Sequence, residues 1–254
     1  IIECNAWNLH NTLTMEIYVD EAGRWPLVGP LHVWLVLILK QIHKKKFKDS
    51  KQLSSSQREK LFEKIKELEQ KWSLLYSIWT VNNQEIDNLW LTKAISLAIK
   101  RWLFELLKKY YQNFLQYSLS KWLCSCDLIN KFSIENLLHN KFSITNLKNL
   151  LQIISQTNPI FGMIIDWKQD FWVSKDLEIK TKTVVKGDIK VHEISMASII
   201  AKVSRDQRIV DFADKKYPQY NFKKHKWYGT KEHISLIKKF WICKLHRKSF
   251  LKKI

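Results

Sequence analysis

The sequence has few cysteines and no long apolar run, and each absence excludes a class of protein. The 4 cysteines among 254 residues are too scattered for the disulfide framework of a small secreted domain. Cys124 and Cys126 have the wrong spacing for a zinc knuckle. The apolar run at 31–39 is too short to span a bilayer, and residues 1–14 lack the basic start and apolar centre of a signal peptide. We therefore expect a cytoplasmic protein with no membrane partner.

Acidic residues are also in deficit. Lysine and arginine number 43 against 24 aspartate and glutamate residues, which gives a formal net charge of +19. This balance favours a polyanionic partner, most simply a nucleic acid, although a lysine-biased proteome would give the same composition. Apolar residues make up 46% of the chain, enough for a sizeable core in one large domain or two small ones.

The stretch at 15–39 carries the first candidate site. Residues 17–19 are β-branched or aromatic and predict a short strand. Asp20 and Glu21 stand at its end. Glycines and prolines between 23 and 30 then predict a tight loop before a second strand at 31–39. Adjacent strand residues face opposite sides of a sheet, so these two acids can converge only if the strand ends or bulges there.

Two interpretations of this acidic pair are open. Converging carboxylates could hold a hard cation such as Mg²⁺, which prefers oxygen ligands. An isolated Asp-Glu pair is more often an exposed turn with two solvated acids. The apolar strands on both sides favour the metal site, as does the Gly23-Arg24 pair. Glycine has no side chain, so a phosphate or sugar can come close to the backbone there, and the adjacent arginine can bind it.

The rest of the chain alternates predicted helices and strands. Helical spacing of apolar residues predicts helices opening at Ser54 and at about 91–111 and 193–216, and β-prone runs predict strands at 72–81, 159–165 and 181–185. Asp166 and Asp188 each follow one of these strands. Residues 112–157 carry a near repeat of Asn-Lys-Phe-Ser-Ile, and we interpret them as a helical or partly disordered insertion that projects from the surface.

Several motifs, taken in chain order, resemble those of the ribonuclease HII family. They are Asp20-Glu21-Ala22-Gly23-Arg24, Asp49-Ser50-Lys51-Gln52-Leu53, Ile165-Asp166, Lys186-Gly187-Asp188, residues 195–203 with Arg205-Asp206, residues 225–230 and residues 246–250. The resemblance spans about 15–111 and 158–250.

The resemblance implies an α/β fold. The expected architecture is a ribonuclease H-like mixed central sheet flanked by helices, with a helical C-terminal segment and the helical insertion. We expect a catalytic domain at 15–205, with the insertion at about 112–157, and a C-terminal segment of the same domain at 206–254. Residues 1–14 are expected to be a non-native or disordered leader, because Met15 comes just before the first strand.

The family resemblance also implies a function. It is that of a metal-dependent endonuclease that cuts RNA in RNA–DNA hybrids and single ribonucleotides in duplex DNA, leaving a 5′-phosphate and a 3′-hydroxyl. A monomer is expected. Carried over residue by residue, four carboxylates would hold two Mg²⁺ or Mn²⁺ ions: Asp20, Glu21, Asp166 and Asp188. The implied substrate contacts are Gly23, Arg24 and Trp25 at the ribose 2′-hydroxyl, Tyr228 against the sugar, and Lys51, Lys202 and Lys226 at phosphates.

Two alternatives to this function remain at the level of sequence. One is a catalytically impaired homologue that only binds nucleic acid. The other is the related ribonuclease HIII, whose family carries an extra N-terminal substrate-binding domain. His225 and His246 are expected to pack or to contact phosphate rather than to bind Mg²⁺.

Tryptophan replaces glycine at several positions of the family pattern. The chain has 12 tryptophans and 5 glycines, whereas glycine usually makes up about 7% of residues. Trp25, Trp167 and Trp227 stand at motif glycines, and Trp79, Trp90 and Trp241 align with positions where glycine is usual. We hypothesise that these codons are UGA, meant as glycine in the source's genetic code.

Overall fold

The computed structural model describes residues 15–39, 53–120, 141–157 and 161–252. The expected leader at 1–14, the first copy of the near repeat and Lys51 lie outside the described residues. Within the described ranges, no helix combines the length and the apolarity needed to cross a bilayer.

Five strands of the described chain form one mixed sheet. They are β1 Met15–Ala22, β2 Leu31–Ile38, β3 Leu74–Val81, β4 Phe161–Ile165 and β5 Lys180–Thr183. Their order across the sheet is β3-β2-β1-β4-β5. The β1–β2 and β2–β3 pairs are antiparallel, and the β1–β4 and β4–β5 pairs are parallel. This sheet, flanked by helices, confirms the predicted α/β fold class.

Three described helices begin within one residue of a predicted start, at Ser55, Leu91 and His192, although the second ends later and the third ends earlier than predicted. The described helices are α1 Ser55–Gln70, α2 Asn83–Leu89, α3 Leu91–Ser120, α4 Ile144–Thr157, α5 Val173–Leu177, α6 Gly187–Lys190, α7 His192–Arg208, α8 Phe222–His225 and α9 Lys231–Phe240. Ser54 and Gln57 form a reciprocal capping box at the start of α1, as the sequence predicts. A π-helical turn, Ile209–Asp214, follows α7 directly.

The two faces of the sheet are covered by different helices. Val33 and Leu35 of β2 belong to the larger core cluster, which also contains the buried side chains of α3. Trp34 and Val36 point the other way and pack with residues of α1 and α7. Side chains alternate between faces along a strand, so a continuous apolar run is the pattern of a strand buried on both sides.

The segment at 112–157 differs from its prediction. Helix α3 continues to Ser120, and α4 buries three leucines, Leu147, Leu150 and Leu151, in the same cluster as α3. These leucines are spaced by three and four residues, so they share one face of the helix. Burial of each contributes about 1.5–3 kcal/mol. The expectation that the segment projects from the surface is therefore wrong for α4.

The C-terminal segment packs against the loop that follows β1. Leu27 and Val28 share a third apolar cluster with Tyr220, Phe222 and Trp227. This packing places the C-terminal segment beside the Gly23–Arg24 loop.

Candidate active site

The parallel pairing of β1 and β4 brings the first and third acids together. Val19 is the register partner of Ile165, and the backbone N–H of Asp166 donates to the Val19 carbonyl at 3.0 Å. Asp20 and Asp166 are the next residues on each strand. The carboxyl ends of parallel strands meet at one edge of a sheet, which is where ligands bind in open α/β folds. The strand pairing therefore builds half of the site.

Asp188 reaches the site through a close approach of α6 to Asp166. The backbone N–H groups of Gly187 and Asp188 donate to the two carboxylate oxygens of Asp166 at 2.8 and 3.1 Å. A Cβ atom at position 187 would lie 2.6 Å from Ile194 Cδ1 and 3.2 Å from Asp166 Cγ. A side chain at position 187 would have to displace Ile194 Cδ1 and would crowd the Asp166 carboxylate, so glycine favours this approach.

Arg24 lies between Glu21 and the aromatic wall of the site. Its Nη1 is 3.9 Å from Glu21 Oε1, and its guanidinium carbon is 3.7 Å from the ring centroid of Trp167. The Nε and Nη1 atoms of Arg24 are buried and make no hydrogen bond within the described chain. Because these atoms are buried, they could donate to a ligand only after a shift of the Arg24 side chain or of the Trp167 ring that stacks on it.

A cavity of about 380 Å³ joins these groups. Nine of the residues predicted to act on metal or substrate line it: Asp20, Glu21, Gly23, Arg24, Trp25, Asp166, Asp188, Lys202 and Tyr228. Four further polar residues line it without having been predicted to do so: Lys168, Lys186, Ser198 and Arg205. Acids from three separate parts of the chain thus share one cavity with a set of cationic side chains.

Burial and mutual repulsion make this acidic cluster unfavourable without a cation. The pKa of Asp20 lies well above its usual range, first because of desolvation and then because of the nearby Glu21 and Asp166 carboxylates. Burial also raises the pKa of Glu21 to about 7, although Arg24 opposes the shift. The donor set consists of carboxylate oxygens, which suits Mg²⁺ or Mn²⁺.

The side chains are not yet gathered around a single point. Within the described residues, no three carboxylate, imidazole or thiolate groups stand close enough together to hold one metal ion. Asp166 is held by the two backbone N–H groups and Glu21 is drawn towards Arg24. Metal binding would therefore require these side chains to turn towards one another.

Comparison with known proteins identifies the family. The ribonuclease HII family model matches residues 17–112 and 121–253. The chain belongs to the ribonuclease HII family. It is 34% identical to the ribonuclease HII of Caldicellulosiruptor saccharolyticus over 100% of this chain and 97% of that protein. It is 36% identical to that of Caldanaerobacter subterraneus subsp. tengcongensis over 93% of this chain and 73% of that protein.

Solved structures share the fold of this ribonuclease HII family member. The ribonuclease H2 of Pyrococcus horikoshii has a TM-score of 0.53 and 21% identity, covering 92% of each chain. A chain of the PCNA complex of Archaeoglobus fulgidus ribonuclease HII has a TM-score of 0.54 and 20% identity, covering 92% of this chain and 94% of that one. Family membership makes this protein a ribonuclease H, a hydrolase that acts on RNA–DNA hybrids.

Lys226 is the one described candidate that the structure does not bring to the cavity. Its ammonium lies 3.9 Å from Asp206 Oδ2, and its backbone carbonyl accepts a 2.6 Å hydrogen bond from Arg205 Nη2. Arg205 lies 5.4 Å from the ring of Tyr228. Sequence reasoning quoted Arg205 only as part of a ribonuclease HII motif. Its hydrogen bond to the Lys226 carbonyl and its contact with the Tyr228 ring show that it supports the loop at 226–228.

Arg247 is a second residue whose role the motif alone did not reveal. Its side chain is fully buried and donates to three carbonyl oxygens of the loop after β1: Gly29 at 2.9 Å, Arg24 at 2.9 Å and Gly23 at 2.6 Å. Desolvation, with a smaller effect from Arg205, lowers the pKa of Arg247 to about 9. Arg247 therefore fixes the backbone conformation of the loop that carries Arg24.

Proposed function

We propose that this protein is a divalent-metal-dependent endonuclease that acts on RNA–DNA hybrids and on single ribonucleotides in duplex DNA. Its products would carry a 5′-phosphate and a 3′-hydroxyl. The observation that carries the proposal is the shared cavity, in which Asp20, Glu21, Asp166 and Asp188 lie beside Arg24 and Tyr228. The partner would be the nucleic acid duplex, bound by a monomer.

The four carboxylates would hold two Mg²⁺ or Mn²⁺ ions, which supply activation of the attacking water and stabilisation of the leaving oxygen. The backbone N–H groups of Gly187 and Asp188 hold the Asp166 carboxylate near this set, and a turn of that side chain would complete the set. Burial of Asp20 limits competing hydration of its carboxylate. No covalent intermediate is needed.

Substrate selection would fall to the loop after β1 and to Tyr228. The N–H groups of Arg24 that make no hydrogen bond within the described chain would donate to a ribose 2′-hydroxyl, the group that separates RNA from DNA, once a shift of Arg24 or Trp167 uncovers them. Gly23 and position 25 would flank that contact. Tyr228 is 45% exposed at the cavity, so its ring can pack against a sugar. Lys202, together with Lys168 and Lys186, would contact phosphates.

The decisive experiment uses a DNA duplex that contains one ribonucleotide, with Mg²⁺ or Mn²⁺ added. We expect a single nick at the ribonucleotide and no cleavage of the all-DNA duplex. Asp20→Asn should lower the cleavage rate by about 10²–10³-fold or more, because a ligand for the reacting centre is lost. Asp211→Asn, at an exposed acid outside the cavity, is the matched control and should keep the wild-type rate.

The alternative of a protein that only binds nucleic acid makes the opposite prediction. Binding of the same duplex without nicking would overturn the proposed activity. The assay is run on the protein with tryptophan at positions 25, 167 and 227 and on a variant with glycine at these three positions. Product ends are checked by ligation, which requires the 5′-phosphate and 3′-hydroxyl.

A further inference from the structure

Tryptophan is over-represented at backbone positions that disfavour large side chains. Within the described chain, ten non-glycine residues have a positive φ, and five of them are tryptophan: Trp72 (54°), Trp90 (64°), Trp172 (60°), Trp227 (72°) and Trp241 (64°). Left-handed conformations are uncommon for any residue with a Cβ and are usually taken by glycine, asparagine or aspartate. Chance placement of a bulky aromatic residue would not produce this pattern.

Two of these conformations are essentially restricted to glycine. Trp90 has φ 64° and ψ 152°, and Trp241 has φ 64° and ψ −170°. Positive φ combined with extended ψ is a region that side chains almost never occupy. The Trp90 and Trp241 side chains are 66% and 80% exposed, so burial of the indole does little to offset the backbone strain.

Trp72 occupies a helix-terminating position with a known preference for glycine. Its N–H donates to the Glu69 carbonyl and that of Ser73 donates to the Leu68 carbonyl, both at 2.9 Å. This pair of hydrogen bonds is the Schellman motif, and the residue at the position of Trp72 is usually glycine. The family motifs in the sequence did not identify Trp72 as a position where glycine is usual.

Trp227 combines a positive φ with close packing of its indole. Its indole is 2% exposed and its Nε1 makes no hydrogen bond within the described residues. A Cβ atom at Gly29 would lie 2.5 Å from the indole Cζ3, so the ring sits directly on the glycine. The Trp227 carbonyl accepts a 2.9 Å hydrogen bond from Leu27, which ties this residue to the loop after β1.

We propose that the protein made in the source cell carries glycine at positions 72, 90, 172, 227 and 241. The tryptophans would result from UGA codons that the source reads as glycine. The backbone supports the sequence hypothesis at 90, 227 and 241 and extends it to 72 and 172. Trp25, Trp79 and Trp167 have no positive φ, so the backbone does not demand glycine there.

The first test determines the codons of the gene and the peptide masses of the protein isolated from the source cell. We expect UGA at the five codons, and peptide masses from the source cell that match glycine at each position. UGG codons, or peptides that contain tryptophan at these positions, would overturn the proposal. This outcome is independent of nuclease activity, so it is distinguishable from a failure of the proposed function.

The second test separates backbone strain from loss of the indole. Glycine and alanine variants are compared at positions 90 and 241, since both remove the ring but only glycine relieves positive φ. We expect the unfolding equilibrium constant to be about tenfold smaller for glycine than for alanine at each position. An equal or larger constant for glycine would contradict the proposal.

Trp102 provides the matched control. It lies in α3 with its side chain 4% exposed, and its φ is not positive. There we expect the reverse order, with Trp102→Ala more stable than Trp102→Gly by about fivefold in the unfolding constant, because glycine weakens a helix interior. Denaturant titration of each pair at one temperature measures both differences.

Discussion

His32 is the least satisfied polar side chain that the described core contains. It is 2% exposed, and neither ring nitrogen makes a hydrogen bond within the described residues. Its ring stacks on Trp34 with centroids 5.2 Å apart. Burial, aided by nearby arginines, lowers the pKa of His32 to about 3. A buried polar group without a partner typically costs about 1–3 kcal/mol, so this residue is expected to destabilise the fold.

His32→Leu should therefore raise the free energy of unfolding by about 1–2 kcal/mol near neutral pH. This increase in the free energy of unfolding over wild type should grow as the pH falls below about 6.5, the unfolded-state pKa of histidine. In that range the unfolded chain binds a proton that the folded chain does not bind until about pH 3, so wild-type stability is lost with acid. At pH 5 the additional gain is about 2 kcal/mol. Urea titrations at pH 5 and 7.5 measure it, and a variant less stable at both would contradict the assignment.

At the scale of elements, residues 245–247 hold the loop after β1 in place. The Arg247 side chain donates three hydrogen bonds to this loop, and the backbone N–H of Arg247 donates a further one to the Leu27 carbonyl at 2.8 Å. Gly29 donates in return to the Leu245 carbonyl at 2.8 Å, and Val28 bridges to His246. The loop that carries Arg24 thus owes its shape to residues more than two hundred positions away.

Arg247→Lys should lower kcat/KM on the single-ribonucleotide duplex by about 10–100-fold. Lysine keeps the charge but lacks the planar guanidinium, so it cannot hold three carbonyl oxygens in the same geometry. The measurement is steady-state kinetics at a temperature where circular dichroism shows the variant folded. Lys248→Gln, at the exposed neighbouring residue, is the control and should leave kcat/KM unchanged. A lower Tm with unchanged kcat/KM would show that Arg247 only stabilises the fold.

At the scale of the whole molecule, the charge distribution favours binding to a polyanion. The formal net charge is +19, yet four acids line the cavity. Lys168, Lys186 and Lys202 line the same cavity, so cationic and acidic side chains share it. A net positive charge combined with lysines at the cavity is expected to attract the phosphate backbone of a nucleic acid.

Substrate affinity should consequently fall steeply with salt. Each phosphate neutralised contributes a slope of about −0.9 to log K against log salt, so three lysine contacts predict a slope of about −3 or steeper. Fluorescence anisotropy with the Asp20→Asn variant measures binding without cleavage. Lys202→Gln should make the slope shallower by about 1, whereas Lys60→Gln on α1 should leave it unchanged. A slope near zero would contradict an electrostatic mode of binding.

The sequence by itself determined the elements and the identity of the acids. The burial of β2 on both faces and the capping box at Ser54 follow from neighbouring residues, and local patterns express them directly. Short motifs likewise named four carboxylates that the structure brings into one cavity. Their roles stay predictions until the variants are measured.

Only the tertiary structure decided which distant groups meet. The parallel pairing of β1 with β4 sets Asp20 beside Asp166, and Arg247 reaches Arg24 across 223 residues of sequence. The leucines of α4 looked like part of a surface insertion because no local pattern reveals the partner that buries them. The positive φ values of Trp72 and Trp172 likewise appeared only in the structure, because the motifs that pointed to glycine did not include these positions. Local chemistry fixes what each segment can form, whereas packing between segments fixes where its side chains lie.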